Sequence, residues 1–181
     1  PYHFTLSFLS ALFYFFPSRK LIMIGVTGTK GKTTVVELLH AVLVEAGYSV
    51  ASASSLRFKI NNGETRNETK MTMPGRFFVQ KFLREALKKN CRYVVLEVTS
   101  EGIKQFRHRF IRFRMAVMTN MAPEHLEAHG SFENYLRSKL YLFWRLGQEG
   151  AATINADDEK GIRFSAATGA PSPPKSNSPR S

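Results

Sequence analysis

The residues best suited to chemistry lie in one short run, 25–34, which reads GVTGTKGKTT. Glycines at 25, 28 and 31 free the backbone, so that successive N–H groups can turn toward phosphate oxygens. A helix starting just after such a loop adds the positive end of its dipole. Lys32 supplies a point charge for the outer phosphates, and the Thr33 hydroxyl is placed to hold Mg²⁺. The spacing departs from the common G-x-x-x-x-G-K-[ST] pattern, whose first glycine would fall at Val26. A merely tight strand-to-helix turn is the bland alternative. The Gly-Lys-Thr-Thr text between an apolar run and a helical pattern favours phosphate.

Three further sets of side chains carry chemical weight. Glu97 closes the apolar run 93–98 (YVVLEV) and precedes Thr99 and Ser100. A carboxylate there suits Mg²⁺ held between phosphates, or an ordinary salt bridge. His125 and His129 stand four apart, a spacing that can share a helix face. A zinc protease needs a glutamate directly after the first histidine, whereas here Glu127 falls two residues on, so that chemistry is set aside. Lys139 lies within a helical pattern at 132–146, near the middle of an apolar stripe of Phe132, Tyr135, Leu136 and Phe143. A lysine there must snorkel, pair, or lose its charge. A lysine of lowered pKa can also react with electrophiles.

The elements that would position these groups follow from apolar periodicity. Residues 21–26 (LIMIGV) suit a buried strand, and 33–46 repeat apolar residues at helical spacing up to a C-terminal Gly47. An amphipathic helix at 79–89 precedes the strand at 93–98, and further strands are expected at 115–118 and 151–154. Short apolar strands alternating with helices imply an α/β domain with a mainly parallel sheet flanked by helices. Ligands in such sheets bind at the carboxyl ends of the strands. The polar residues at three such ends, 27–34, 97–100 and 119–120, are therefore expected to meet in one crevice.

Composition bounds the rest. The 181 residues are 43% hydrophobic, enough for a real core, which excludes a wholly disordered chain. Lys+Arg number 26 against 14 Asp+Glu, and the resulting +12 implies an anionic partner. The single Cys91 excludes an internal disulfide and a thiolate cluster, and makes the cytoplasm the default compartment. Residues 1–20 are read as an apolar segment forming a packed or interfacial helix, with peripheral membrane contact left open. Its apolar stretch of 13 residues (4–16) is short of the ~20 needed to cross a bilayer. Residues 165–181 are rich in Ser and Pro and read as a disordered tail. The run 104–114 (KQFRHRFIRFR) is basic with interleaved phenylalanines. It reads as a solvated edge, a wall for an anionic substrate, or a stacking surface for nucleic acid. No nucleic-acid module accompanies it, so no such partner is expected.

The loop text resembles the ATP loop of the Mur ligase superfamily, G-x-x-G-T-x-G-K-[ST]-[ST], with Lys30 where Asn is common. Further motifs occur in the family's order. LEVTSEG is similar to the M-E-V-S-S-H text of the UDP-N-acetylmuramyl-tripeptide synthetase branch, with Thr99 for Ser and Glu101 for His. Residues 119–130 resemble T-N-x-x-x-D-H-L-D-x-H-G, with Glu124 and Glu127 for Asp. Lys139 matches the lysine of Y-x-x-x-K-x-x-L/I-F, and residues 155–158 match N-A-D-D. The resemblance covers about 21–159. It implies the family's P-loop-containing central domain at 21–164, truncated at its C-terminal end.

By this resemblance, ATP is held by Gly28, Thr29, Lys30, Gly31, Lys32, Thr33, Thr34 and Asn155. Mg²⁺ is bound by Thr33, Glu97, His125 and Lys139, the last as a carbamate formed with CO₂. Lys32, Lys139, His125 and Asn120 take the catalytic positions. Thr72, Thr99, Ser100 and Arg107 face an anionic UDP-muramyl-peptide substrate, with Met73 where the family's second Thr stands. The implied reaction is ATP-dependent amide formation through an acyl phosphate, adding an amino acid in cytoplasmic peptidoglycan precursor synthesis. A folylpolyglutamate- or cyanophycin-synthetase-like ligase and a non-catalytic nucleotide-binding fragment are the alternatives. The family's uridine-nucleotide and amino-acid domains have no counterpart in this text. The chain by itself is thus expected to bind nucleotide with little or no ligation.

Overall fold

The structure is a computed structural model and describes residues 2–69, 71–122, 131–147 and 149–169. Helix α1 (Tyr2–Phe13) and a 3₁₀ turn (Pro17–Lys20) lead into β1 (Ile22–Thr27) and α2 (Lys32–Glu45). Strands β2 (Val50–Ala53), β3 (Arg57–Ile60) and β4 (Gly63–Arg66) follow, then α3 (Arg76–Lys88), β5 (Tyr93–Glu97) and the short α4 (Ser100–Lys104). Strand β6 (Phe113–Met118), α5 (Phe132–Trp144), β7 (Ala151–Ile154) and α6 (Gly161–Ala167) complete the described chain.

Among the described residues, seven strands form one sheet in the order β4-β3-β2-β5-β1-β6-β7. The five strands from β2 to β7 in that order are mutually parallel, while β3 and β4 add an antiparallel hairpin to one edge. In register, Val26 lies beside Glu97, Thr27 beside Met118, and Met118 beside Ile154. The carboxyl ends of β1, β5, β6 and β7 are therefore level. Connections from β1 and β5 leave toward opposite edges there, the position at which an α/β sheet opens a crevice.

Alternation of side chains divides the core. Ile24, Val26, Val50 and Val95 face α2 and meet Val36. Met23, Ala51, Val94, Leu96, Ala116 and Met118 join the larger cluster with Leu83 of α3, Leu136 and Phe143 of α5, and Phe164 of α6. The expected helix at 33–46 and strand at 151–154 appear with bounds within a residue or so. The other periodic segments appear too, α3 three residues earlier than expected.

The N-terminal apolar text runs to Phe16, but α1 ends at Phe13. Phe15 and Phe16 take left-handed conformations, and the Phe16 N–H donates to the Ala11 carbonyl at 2.8 Å, closing the helix. Small residues Ser7, Ser10 and Ala11 are buried on its inner face, against α3 and the 106–110 loop. Phe4 and Phe8 meet Phe110 edge-on while keeping their outer sides exposed, and Leu12, Phe13 and Phe15 are exposed as well. No helix among the described residues is long and apolar enough to cross a membrane. At the other end, α6 continues helically to Ala167, past the composition change at Ser165. The rest of the Ser/Pro-rich text, 170–181, lies outside the described residues.

Candidate functional site: a phosphate loop facing a buried lysine

The loop between β1 and α2 is shaped by two left-handed glycines. Gly31 (φ 78°) caps α2, and Gly28 (φ 147°) lies so close to the end of β6 that a Cβ there would sit 1.9 Å from Thr119 Oγ1. The loop is fastened to that strand end residue by residue. Thr29 N–H donates to the Asn120 carbonyl and Lys30 N–H to Asn120 Oδ1, both at 2.9 Å. Asn120 Nδ2 returns a bond to the Lys30 carbonyl at 3.0 Å, where Thr119 Oγ1 also donates at 2.7 Å. The Thr29 hydroxyl donates to the Ala122 carbonyl, accepts from the Ala122 N–H, and lies 3.2 Å from the Tyr135 hydroxyl. Thr34, in the first turn of α2, is exposed.

Oxygen donors collect at the start of α2. Thr33 Oγ1 donates to Glu97 Oε2 at 3.0 Å and lies 2.8 Å from Ser55 Oγ. The Ser55 N–H donates to the same carboxylate oxygen at 3.0 Å. Glu97 is 4% exposed. Two hydroxyls and a carboxylate at hydrogen-bond separation, beside a phosphate loop, are the donor set a hard dication such as Mg²⁺ prefers. Sequence reasoning missed Ser55. It sits in the β2–β3 turn, and its only signal was a run of small hydroxyl residues after a strand of small residues, ASASS. The turn is anchored from α2, where Glu37 accepts from Ser54 Oγ at 3.1 Å and pairs with Lys59 at 2.7 Å. Burial raises the Glu37 pKa, but Lys59, Ser54 and Arg57 outweigh it and hold the carboxyl below its usual range.

Lys32 Nζ folds back onto the Thr29 carbonyl at 2.7 Å. Lys139 is 2% exposed and does not snorkel. Its Nζ donates to the Gly28 carbonyl at 2.6 Å and lies 4.6 Å from the centre of the Tyr135 ring. Both lysines line one cavity of about 790 Å³, together with Thr29 and Tyr135. The expected substrate residues Thr72, Thr99, Ser100 and Arg107 form another part of its wall, joined by His3 of α1. Among the described residues, the lining carries Lys32, Lys104, Arg107 and Lys139 against the single acid Glu101, a balance that favours anions.

That wall is ordered by its own hydrogen bonds. Thr99 Oγ1 caps α4 by accepting from Gly102 N–H at 3.0 Å. Arg107 donates to the Met73 carbonyl, and its Nε and Nη2 converge on Gln105 Oε1 at 3.1 and 2.7 Å. Met73, which stands where a second hydroxyl was expected, is 4% exposed and offers its backbone carbonyl instead. Asn155 ties β7 to β6: its Nδ2 donates to the Thr119 carbonyl at 2.9 Å, and its Oδ1 accepts from Asp157 N–H. His125, with its neighbours 123–130, lies outside the described residues.

The basic run divides by position. Arg107 faces the cavity, Arg109 lies over the Phe4, Phe106 and Tyr141 rings, and Arg114 pairs with Glu149 at 2.9 Å. Phe4 of α1 packs edge-on against Phe106 and Phe110, so these two rings are engaged within the fold. His108 is buried behind them, and that burial, reinforced by Arg109, lowers its pKa to about 3.

Known proteins resemble this chain over most of its length. Residues 26–173 match the model of the Mur ligase middle domain. A UDP-N-acetylmuramoyl-L-alanyl-D-glutamate--2,6-diaminopimelate ligase of Gloeobacter violaceus is 37% identical over 164 residues, 90% of this chain and 33% of that protein. The ligase of the same name from Chlorobaculum tepidum is 39% identical over 92% of this chain and 32% of its own length. The chain thus spans about a third of the length of the curated relatives it matches. A solved diaminopimelate ligase of that name has 28% identity and a TM-score of 0.71, covering 81% of this chain and 29% of the other. The folylpolyglutamate synthase of Mycobacterium tuberculosis has 16% identity and a TM-score of 0.68, covering 90% of this chain and 43% of its own, a likeness of fold.

Proposed function

The chain belongs to the Mur ligase middle-domain family, and we propose that it is the ATP-binding part of a ligase that joins an amino acid to a UDP-N-acetylmuramyl-peptide. The observation that carries this reading is the oxygen corner of Thr33, Ser55 and Glu97, next in the chain to Lys32, which itself lines the cavity shared by Lys139 and Arg107.

In this reading the loop backbone from Gly28 to Thr33 cradles the phosphates of ATP, and the Thr34 backbone continues the cradle into α2. Lys32 leaves the Thr29 carbonyl to meet the outer phosphate. Thr33, Ser55 and Glu97 hold Mg²⁺, which when bound neutralises charge on the transferring phosphoryl group. His125 is proposed to hold a second ion. Arg107, Thr72, Thr99 and Ser100 orient the acyl substrate, whose carboxylate oxygen attacks the γ-phosphorus while ADP departs. An amine then attacks the acyl phosphate carbon, phosphate leaves, and an amide remains. The chain's own work is positioning and charge neutralisation, and no protein nucleophile is needed. Lys139, buried against the loop, is proposed to carry a carbamate, and Asn120 and Asn155 keep the loop and strand ends in register.

The reaction is assigned to the cytoplasm, where ATP is supplied. Peripheral contact of Leu12, Phe13 and Phe15 with a membrane is a separate expectation, and sedimentation with lipid vesicles checks it. Activity is tested by exchanging this chain for the matching third of the Chlorobaculum tepidum ligase and assaying amide formation. Restored ligation supports the proposal. ATP binding without ligation leaves a nucleotide-binding fragment.

A further inference from the structure

Asp158 has no part in the reading above, yet both of its carboxylate oxygens are taken by backbone donors of two separate segments. Oδ2 accepts from Met121 N–H at 2.5 Å, and Oδ1 accepts from Lys160 N–H at 2.9 Å. Its carbonyl accepts from Gly161 N–H at 2.7 Å, which fixes the residue in the turn entering α6. Met121 lies between the two residues that grip the phosphate loop. Asn120 accepts from Thr29 and Lys30 N–H, and Ala122 exchanges two bonds with the Thr29 hydroxyl.

We propose that Asp158 is a positioning residue for the phosphate loop: from the turn between β7 and α6 it holds the strap 119–122, and the strap holds Thr29 and Lys30. The inference rests on the nucleotide-binding reading and extends it to a residue in the turn between β7 and α6. A carboxylate suits the task because both oxygens only accept. An asparagine would turn its NH₂ toward one of the two N–H donors whichever way it flips. Charge-assisted bonds of this kind are stronger than neutral ones.

The sign of the effect separates position from charge. Removing a carboxylate near an anionic nucleotide favours binding by Coulomb's law. A loss of ATP affinity in an Asp158 variant therefore runs against the charge change and reports displacement of the loop. The test titrates ATP with Mg²⁺ into the chain, into Asp158→Asn and Asp158→Ala, and into Glu159→Gln, an exposed charge-matched control. Amide hydrogen exchange at Thr29 and Lys30 is followed on the same proteins without nucleotide. Affinity is expected to fall about tenfold in Asp158→Ala and less in Asp158→Asn, the size of one lost charge-assisted bond. Exchange at Thr29 and Lys30 should speed up in both, and Glu159→Gln should leave both readouts at or near the unsubstituted values. If Asp158→Ala does not fold, Asp158→Asn decides. Unchanged exchange at Thr29 and Lys30, or unchanged ATP affinity, in Asp158→Asn overturns the proposal. An unsubstituted chain that binds no ATP contradicts the functional reading, while the exchange rates still judge Asp158.

Discussion

The ammonium of Lys139, on α5, donates to the carbonyl of Gly28, in the phosphate loop, at 2.6 Å across 111 positions of sequence. The bond joins the most buried lysine of the cavity to the loop expected to bind ATP, and it is made away from water. Lys139→Met keeps the length and the apolar stem but leaves the Gly28 carbonyl without this donor. A loss of about 1–3 kcal/mol is expected in urea unfolding, the range for a buried acceptor left unsatisfied. The carbamate makes a separate prediction. Intact mass spectrometry in bicarbonate buffer should find a labile adduct with the mass of one CO₂, absent from Lys139→Met. Finding none contradicts that assignment.

The oxygen corner predicts a metal-specific defect. Thr33→Val removes a hydroxyl from Glu97 and Ser55 without changing side-chain volume much. ATP affinity with Mg²⁺ should fall about tenfold, and affinity in EDTA should change little. Ser55→Ala should act in the same direction. Equal losses with and without the ion would place these hydroxyls outside a metal site.

Gly28→Ala is expected to be the most damaging substitution in the loop. The added Cβ meets Thr119 Oγ1 at 1.9 Å, and a φ of 147° disfavours any side chain. A destabilisation of about 3 kcal/mol follows from overpacking with backbone strain. Thermal unfolding measures it, and a variant as stable as the parent would show that the strap and loop are not in contact.

His108 makes acid stability a readout of the 105–111 loop. Its folded pKa is about 3, against 6.5 for the free side chain. Between those values the unfolded chain binds a proton that the folded chain refuses, so stability falls as pH drops below about 6.5 and levels off near pH 3. At pH 5 the contribution is about 2 kcal/mol. Urea midpoints from pH 7 to pH 5 should fall more steeply for the parent than for His108→Gln. Parallel curves would mean that the histidine titrates normally.

Much of this site was legible before the fold was known, because its parts sit at strand ends and in a loop with strong local chemistry. Gly-Lys-Thr-Thr, Glu97 and Asn120 each follow an apolar run, and a parallel sheet brings such ends together. Lys139 was legible through its place in an apolar stripe. Ser55 was not, because β2 is built from Val, Ala and Ser and carries no strong apolar signal, while its turn is positioned by Glu37 from a different element. The hairpin β3–β4 escaped notice for a similar reason: its strands are polar and, in β4, exposed. Asp158 was legible only as part of the N-A-D-D text, since what its carboxylate holds depends on the distance to a backbone N–H 37 positions away.

Calorimetric titration of ATP with Mg²⁺, on this chain and on Lys32→Ala, decides whether the loop is a nucleotide site. Micromolar binding by the chain and its loss on substitution are expected, with both proteins equally folded by circular dichroism. A folded chain that binds no ATP, or one that binds equally well without Lys32, would contradict it.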